Sequence, residues 1–376
     1  MSEWLIKSLD EVVEYFIDYR GKTPNKVGLG VPLITAKIVK NGRLLPATEF
    51  ILQEDYDDWM SRGYPEINDV ILTTEAPLGE VALLKNKNVA LAQRIITLRG
   101  YKNKLNNIFL KYWLQSDFGQ YELDSRASGT TVFGIKASVL KKIPIPVPPL
   151  PEQKAIASVL SSLDNKIDLL HRQNKTLESM AETLFRQWFV EEAQDDWNEV
   201  RLGQLFSICS GKGLKRDEFI ELGMYPVLGA NGEIGRCNKS LYSERLIYTG
   251  RVGTLGNIFI IHENEKVWLS DNTLIFKDIK YFYFVYFQLK MINFDEYNVG
   301  STQPLIRQSD IKEIYIDFPN DLVLLDLFER DVDIIFTKIN KNIQKIQTLE
   351  NLRDTLLPKL MSGEVRVKYT PEEIKQ

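Results

Sequence analysis

Apolar residues recur at alternating steps of four and three along two stretches of the chain. Ile156, Leu160, Leu163, Ile167, Leu170, Asn174, Leu177, Ala181, Leu184 and Trp188 form the first series. Phe328, Val332, Ile335, Ile339, Asn342, Ile346, Leu349, Arg353, Leu356 and Leu360 form the second. That spacing is the seam of a coiled coil and predicts two long helices. Each seam carries one asparagine, and antiparallel packing with Asn174 against Asn342 brings every other layer into register: Leu170 faces Ile346, Leu177 faces Ile339, Ile167 faces Leu349, Ala181 faces Ile335, Leu184 faces Val332 and Trp188 faces Phe328. Two buried amides can bond to each other, whereas asparagine opposite isoleucine strands one at a cost of about 1–3 kcal/mol, so the pair selects the register. Arg353 opposite Leu163 is the misfit and is expected to snorkel to water. Pro358 is expected to bend or end the second helix.

The two helices are copies. TLESMAETL (Thr176 to Leu184) recurs as TLENLRDTL (Thr348 to Leu356), and the preceding GTTVFGIKASVLKKIPIPVP (Gly129 to Pro148) recurs as GSTQPLIRQSDIKEIYIDFP (Gly300 to Pro319). Fainter matches continue upstream through Leu78-Gly79 with Leu255-Gly256, Arg20-Gly21-Lys22 with Ser210-Gly211-Lys212, and Trp4 with Trp197. The chain is therefore a tandem duplication, with a period too long for a solenoid. Each half is a globular unit followed by a long helix. The first half offers a capping box at Ser8 to Glu11 for a short helix ending near Phe16, strands over VPLIT, DVILTT, EVALLK and IITLRG, and a helix over NNIFLKYWLQS. The second repeats the order with YPVLG, RLIYTG, NIFIIH, NTLIF and then YFYFVYFQLK, with glycine-marked hairpins in EAPLGE and RVGTLGN. The predicted fold class is mixed α/β (α+β): two repeated domains separated by two helices of an antiparallel coiled coil, about 60 Å long and pseudo-twofold symmetric.

Apolar residues also lie off the seam: Val159, Leu169, Met180 and Phe185 on one helix, and Leu327, Ile334, Phe336, Ile343 and Leu352 on the other. A two-helix coil bathed in water has no use for them, so they are candidates for covering by a partner subunit.

Composition adds few constraints. The 376 residues carry a net charge of −4, and neither half is basic, with 19 Lys/Arg against 17 Asp/Glu over residues 1–147 and 14 against 17 over 194–318. Any DNA binding by the chain alone is expected to be weak. Two cysteines without metal-ligand spacing suggest a reducing cytoplasm, and the most apolar run, Tyr281 to Phe287, is too short to span a membrane. Catalytic equipment is missing. Gly21-Lys22-Thr23 resembles the end of a P-loop, but Phe16 stands where its first glycine belongs. Two histidines, His171 and His262, supply neither a triad nor a zinc cluster.

LPEQKAIASVLSSLDNKIDLL (Leu150 to Leu170), LLPKLMSGEV (Leu356 to Val365), the G-[ST]-T stretches and the proline segment IPIPVPPLPEQ (Ile143 to Gln153) together resemble the specificity subunits of type I restriction-modification systems. The resemblance implies a target-recognition domain over residues 1–147, a conserved spacer helix over 148–193, a second recognition domain over 194–318, a second spacer over 319–363 and a tail over 364–376. Departing from that pattern, the second spacer carries FPNDLVLLDLF in place of PPLPEQ. In the tail, Glu364-Val-Arg-Val367 echoes Glu199-Val-Arg-Leu202, so it is expected beside the first domain. The resemblance further implies that each domain reads one half of a split, asymmetric DNA sequence, and that the spacers bind two methyltransferase subunits carrying S-adenosylmethionine. Restriction subunits would join, and this chain itself would hold no cofactor, metal or catalytic residue. Candidate DNA contacts are loop residues able to grip base edges or phosphates: Lys22, Thr23, Lys26, Lys37, Arg43, Arg126, Ser128 and Thr130 in the first half, and Lys212, Lys215, Arg216, Asn231, Arg251 and Gln303 in the second. A coiled-coil scaffold for two protein-binding domains is the alternative and would show no DNA affinity; an enzyme with an unrecognised site would show turnover when purified alone.

Overall fold

The structure, a computed structural model, describes residues 4–129 and 133–368. The chain divides into two compact units, residues 1–170 with 344–376, and residues 171–343.

In the first unit, the capping box forms, with the Ser8 backbone N–H donating to Glu11 at 2.8 Å. The helix it starts is shorter than the sequence suggests, stopping at Val12. Val13, Tyr15, Phe16 and Ile17 favour extended backbone, and Val13–Asp18 becomes an edge strand paired with Ile95–Gly100. The antiparallel sheet continues through Val70–Thr74, whose five residues are all buried, to Leu78–Leu83. The helix Asn107–Gln115, capped by the Asn106 side chain, packs on this sheet through Phe109, Leu110 and Trp113. A smaller sheet orders Phe50–Ile51, Val31–Ile34 and Ala90–Leu91, and a ribbon pairs Leu5–Ser8 with Pro144–Val147.

The second unit repeats these three sheets, while the hairpin Val39–Lys40 with Arg43–Leu44 is found in the first alone among the described residues. Its main sheet runs Ser207–Ser210, Thr273–Lys277, Leu246–Gly250, Ile258–Ile261, and its smaller sheet Gly232–Cys237, Tyr225–Gly229, Trp268–Leu269. The ribbon register repeats as well, with Leu5 facing Val147 as Asn198 faces Phe318. The aromatic helix Phe282–Met291 occupies the place of Asn107–Gln115. Its N-terminus is capped from outside, because the Glu329 carboxylate accepts from the Phe284 N–H at 2.8 Å. Burial raises the Glu329 pKa above its ordinary value of 4.5, against those backbone hydrogen bonds, which lower it. The unfolded chain therefore loses this proton first, and stability falls as pH rises from 4.5 through the folded-state pKa. Glu329→Gln keeps an acceptor without the charge, so its unfolding free energy should be flat across that window where the wild type declines. Parallel declines in both proteins would contradict this.

The long helices run Leu150–Arg186 and Leu322–Ser362, the first continuing into a π-turn over Gln187–Glu191. Within the first unit, Ile167, Leu170, Ile346 and Leu349 form one apolar cluster, as the antiparallel register requires. Within the second, Asn342 Nδ2 donates to Asn174 Oδ1 at 2.8 Å and both residues are buried, while Asn342 Oδ1 has no partner. Asn174→Ile should therefore cost about 1–3 kcal/mol by stranding the whole Asn342 amide. Asn174→Ile with Asn342→Ile should cost less while relaxing the register. Denaturant melts ranking the double variant below the single one would refute the pairing argument.

Three expectations need correction. Pro358 does not end its helix, which continues to Ser362; the carbonyl it deprives belongs to exposed Asp354, where water can serve it, and Leu360 and Met361 anchor the last turn in the first core. Arg353 is not merely snorkelling, since it bonds Asp164 at 3.2 Å. Near the π-turn the apolar face shifts by one residue, so that Phe185 and Phe189 are buried against Phe328 while Trp188 stays half-buried at 6.1 Å from that ring.

Candidate nucleic-acid interface

One end of the second unit is stitched together by backbone. The Arg251 N–H, just past the strand Leu246–Gly250, donates to the Asn272 carbonyl at 2.8 Å, and the Arg251 carbonyl accepts from Ile306 at 3.1 Å. Gly253 donates to the Pro304 carbonyl at 3.0 Å. The Asn298 carboxamide oxygen accepts from both Gly300 and Leu305, closing the loop between them. Gly300 is indispensable to that loop, because a Cβ there would lie 1.9 Å from the Gln303 carbonyl. The hairpin turn at Ala230 abuts Gly250, and next to it Asn231 accepts from the Asn257 amide at 2.8 Å. Asn231, Arg251 and Gln303 are thus gathered onto one rigid end.

The first unit carries the same frame with other side chains. Thr74 N–H donates to the Arg94 carbonyl at 3.0 Å, Ile135 donates to the Thr74 carbonyl at 3.0 Å, and Glu75 bridges Gly134 as Val252 bridges Leu305. Arg94 pairs with Glu75 at 3.2 Å, two residues that loop polarity alone did not single out. Ser128 reaches this end through its backbone, bonded both ways to Gly134. Thr130 lies outside the described residues.

Several other candidates are engaged elsewhere. Lys26 and Lys37 both pair with Glu49, at 2.8 and 3.5 Å, and Arg126 pairs with Glu122. Arg43 grips Asp168 on the first long helix at 2.7 Å, which makes it a fastener between domain and helix. Lys22 and Thr23 sit on an exposed loop beyond Val13–Asp18, with Gln93 reaching Thr23 at 3.5 Å. In the second unit, Lys212 is held by its backbone to Leu269 and Trp268, and Lys215 and Arg216 sit exposed at the turn Arg216–Glu218. The segments of Thr23 and Lys212 adjoin the stitched ends, since Gln93 precedes Arg94 and the Gly211 N–H donates to the Thr273 carbonyl next to Asn272.

The off-seam residues also sort themselves. Phe185 and Phe336, 2% and 7% exposed, are not available to a partner: Phe284 and Phe287 cover the first, and Tyr283, Tyr286 and Phe287 the second. Val159 is half-buried against the first core. Leu169, Met180, Leu327, Ile334, Ile343 and Leu352 stay between 37% and 65% exposed.

Two polar clusters that no local pattern reveals join the first domain to its helices. Asp164 accepts from Lys111 at 2.8 Å, Tyr112 at 2.6 Å and Arg353 at 3.2 Å. Burial pushes the Asp164 carboxyl up, but the Lys111 charge and the three hydrogen bonds outweigh it and hold the group below its ordinary value. Burial dominates at Lys111 and lowers its pKa despite the partner. Gln153, fully buried, accepts from Asn106 N–H and donates to the Lys104 and Pro148 carbonyls, while neighbouring Glu152 accepts from Trp4 and Arg366. The Arg366 guanidinium lies 4.8 Å over the Trp4 ring, so the tail residues that echo Glu199 to Leu202 lie in the first unit.

Among the described residues no helix is long and apolar enough to cross a membrane. Comparison with known proteins gives a consistent result. The type I restriction enzyme MjaIX specificity subunit of Methanocaldococcus jannaschii is 27% identical over 97% of this chain and 94% of its own length. A putative type I specificity subunit of Mycoplasma genitalium is 28% identical over 67% of this chain and 70% of its own. The crystal structure of a type I restriction-modification S subunit from M. genitalium superposes with a TM-score of 0.63 at 21% identity, covering 98% of this chain and 97% of that one, and so shares the fold. The model of the type I restriction modification DNA specificity domain matches twice, over residues 1–179 and 194–351, and with both halves of the duplication matched the chain belongs to that family.

Proposed function

We propose that this chain is the sequence-reading subunit of a type I restriction-modification complex. The domain of residues 1–147 reads one half of a split, asymmetric DNA site and the domain of 194–318 the other. The helices over 148–193 and 319–363 dock two methyltransferase subunits, whose bound S-adenosylmethionine supplies the methyl group, and restriction subunits complete the assembly. This chain contributes recognition and no catalysis. The observation that carries the reading is the duplication itself: two units repeat one strand order and one stitched end while presenting different polar side chains there, which suits a reader of two unlike half-sites. The exposed apolar residues on the long helices support docking by further helices. The balanced charge fits a subunit that shares phosphate contacts with its partners. The test is co-expression with the neighbouring genes of its operon and sequencing for methylated adenines. A methylated two-part motif with an unread gap is expected; an assembled complex that methylates no such motif would refute the proposal.

A further inference from the structure

We infer that Gln303 is a specificity-determining residue of the second unit, reading an adenine base edge, with Arg251 beside it reading a guanine. The inference rests on the proposed function above and narrows it to named side chains.

Direct readout needs a polar side chain with unspent hydrogen-bonding capacity, exposed to solvent and mounted on a backbone held by hydrogen bonds. Gln303 meets all three conditions. It is exposed, and neither its carboxamide oxygen nor its nitrogen has a hydrogen-bond partner among the described residues. Its loop is closed by Asn298 and seated on the Arg251 strand end by the Gly253 to Pro304 bond. Its amide nitrogen stands 3.5 Å from where a Cβ on Gly253 would be, and Gly253 has a φ of +89°, so the residue beneath the amide is one that favours glycine. Arg251 is pinned by its backbone on both sides, and although its Nε is buried, no acceptor engages its two Nη groups among the described residues. Its guanidinium therefore has donor capacity to spare, unlike Arg43 and Arg126, whose carboxylate partners engage them.

Chemistry assigns the bases. A carboxamide offers one donor and one acceptor side by side, matching adenine N7 and N6, whereas a guanidinium offers paired donors, matching guanine O6 and N7. The first unit, with Thr74 and the Arg94–Glu75 pair on the equivalent frame, presents another pattern and so should read another sequence.

The experiment uses the complex co-expressed with its methyltransferase subunits and reads the methylated motif by sequencing. In Gln303→Ala, discrimination at one position of one half-motif should fall roughly 10- to 100-fold. In Gln303→Glu, preference there should move from adenine toward cytosine, because a carboxylate accepts from cytosine N4. The other half-motif and the gap should stay unchanged, which also shows that the variant complex is folded. A motif identical to the wild type at every position, or a uniform loss of methylation with no change of preference, would overturn the assignment. If the wild-type complex yields no split motif at all, the underlying functional reading fails instead.

Discussion

Replacing residues 194–318 with the corresponding domain of a relative changes one half of the methylated sequence completely and leaves the other half as it was. The expectation follows from how the second domain is held. Its recognition end is built from loops of that segment alone, and its attachment to the long helix at Glu329 uses a backbone N–H, which any helix start can offer. The aromatic contacts of Phe336 with Tyr283, Tyr286 and Phe287 ask only for bulky apolar partners. A donor domain of different sequence can seat on the same helix provided it also brings a donor to Asp333, which here takes the Tyr283 hydroxyl at 3.0 Å and Arg245 at 3.7 Å. Sequencing methylated DNA from cells carrying the chimera measures the outcome, and a simultaneous change in both halves would show that the two domains do not read independently.

Asp164→Ala should cost about 3–5 kcal/mol, because it leaves the buried Lys111 ammonium without its carboxylate. Tyr112 and Arg353 lose the same acceptor. Hydrogen exchange along Asn107–Gln115 should accelerate in step with the lost stability. The pH dependence separates this from a packing defect. The folded-state pKa of Asp164 lies below its ordinary value of 3.8, so the stabilisation is fully present above that value and disappears as pH falls through the folded-state pKa. Wild type and variant should thus converge in strong acid. A variant as stable as the wild type at neutral pH would dismiss the network as a stabilising element.

Much of this architecture is written in local pattern. The seam residues give the helices and their register, because a period of 3.5 and two lone asparagines leave few alternatives. Strands such as Val31–Ile34, Val70–Thr74, Ile95–Gly100, Tyr225–Gly229 and Leu246–Gly250 are legible from β-branched runs between turn residues, whereas Val13–Asp18, which follows a capping box, reads as helix. Failures occur where the outcome depends on residues far apart in sequence. Phe185 and Phe336 read as spare apolar surface, since nothing in their own helices announces that Phe282–Met291 will cover them. Arg43 reads as a free loop cation until Asp168 is brought to it. Asp164 sits in a helix as an ordinary polar residue, and only folding brings it to Lys111 and Arg353. For the candidate DNA contacts, charge and loop position nominate fourteen residues, and the backbone stitching that gathers Asn231, Arg251 and Gln303 among them leaves no local signature.

The Asp164 cluster bears on how such a gene can diversify by recombination. Lys111 and Tyr112 belong to the first domain, proposed to read DNA, while Asp164 and Arg353 belong to the long helices, so a crossover near residue 148 separates the two halves of a charge pair. An incoming allele that lacks a cation at position 111 leaves Arg353 as the remaining charge partner of Asp164 and inherits a weakened unit. New specificities entering on the first side are thereby filtered by an electrostatic match at Asp164, and those entering on the second side meet one at Asp333, which here accepts from the Tyr283 hydroxyl at 3.0 Å and pairs with Arg245 at 3.7 Å. The inheritable repertoire of each half should accordingly be limited to newcomers that bring a partner for the acid waiting on the helix, Asp164 on the first side and Asp333 on the second.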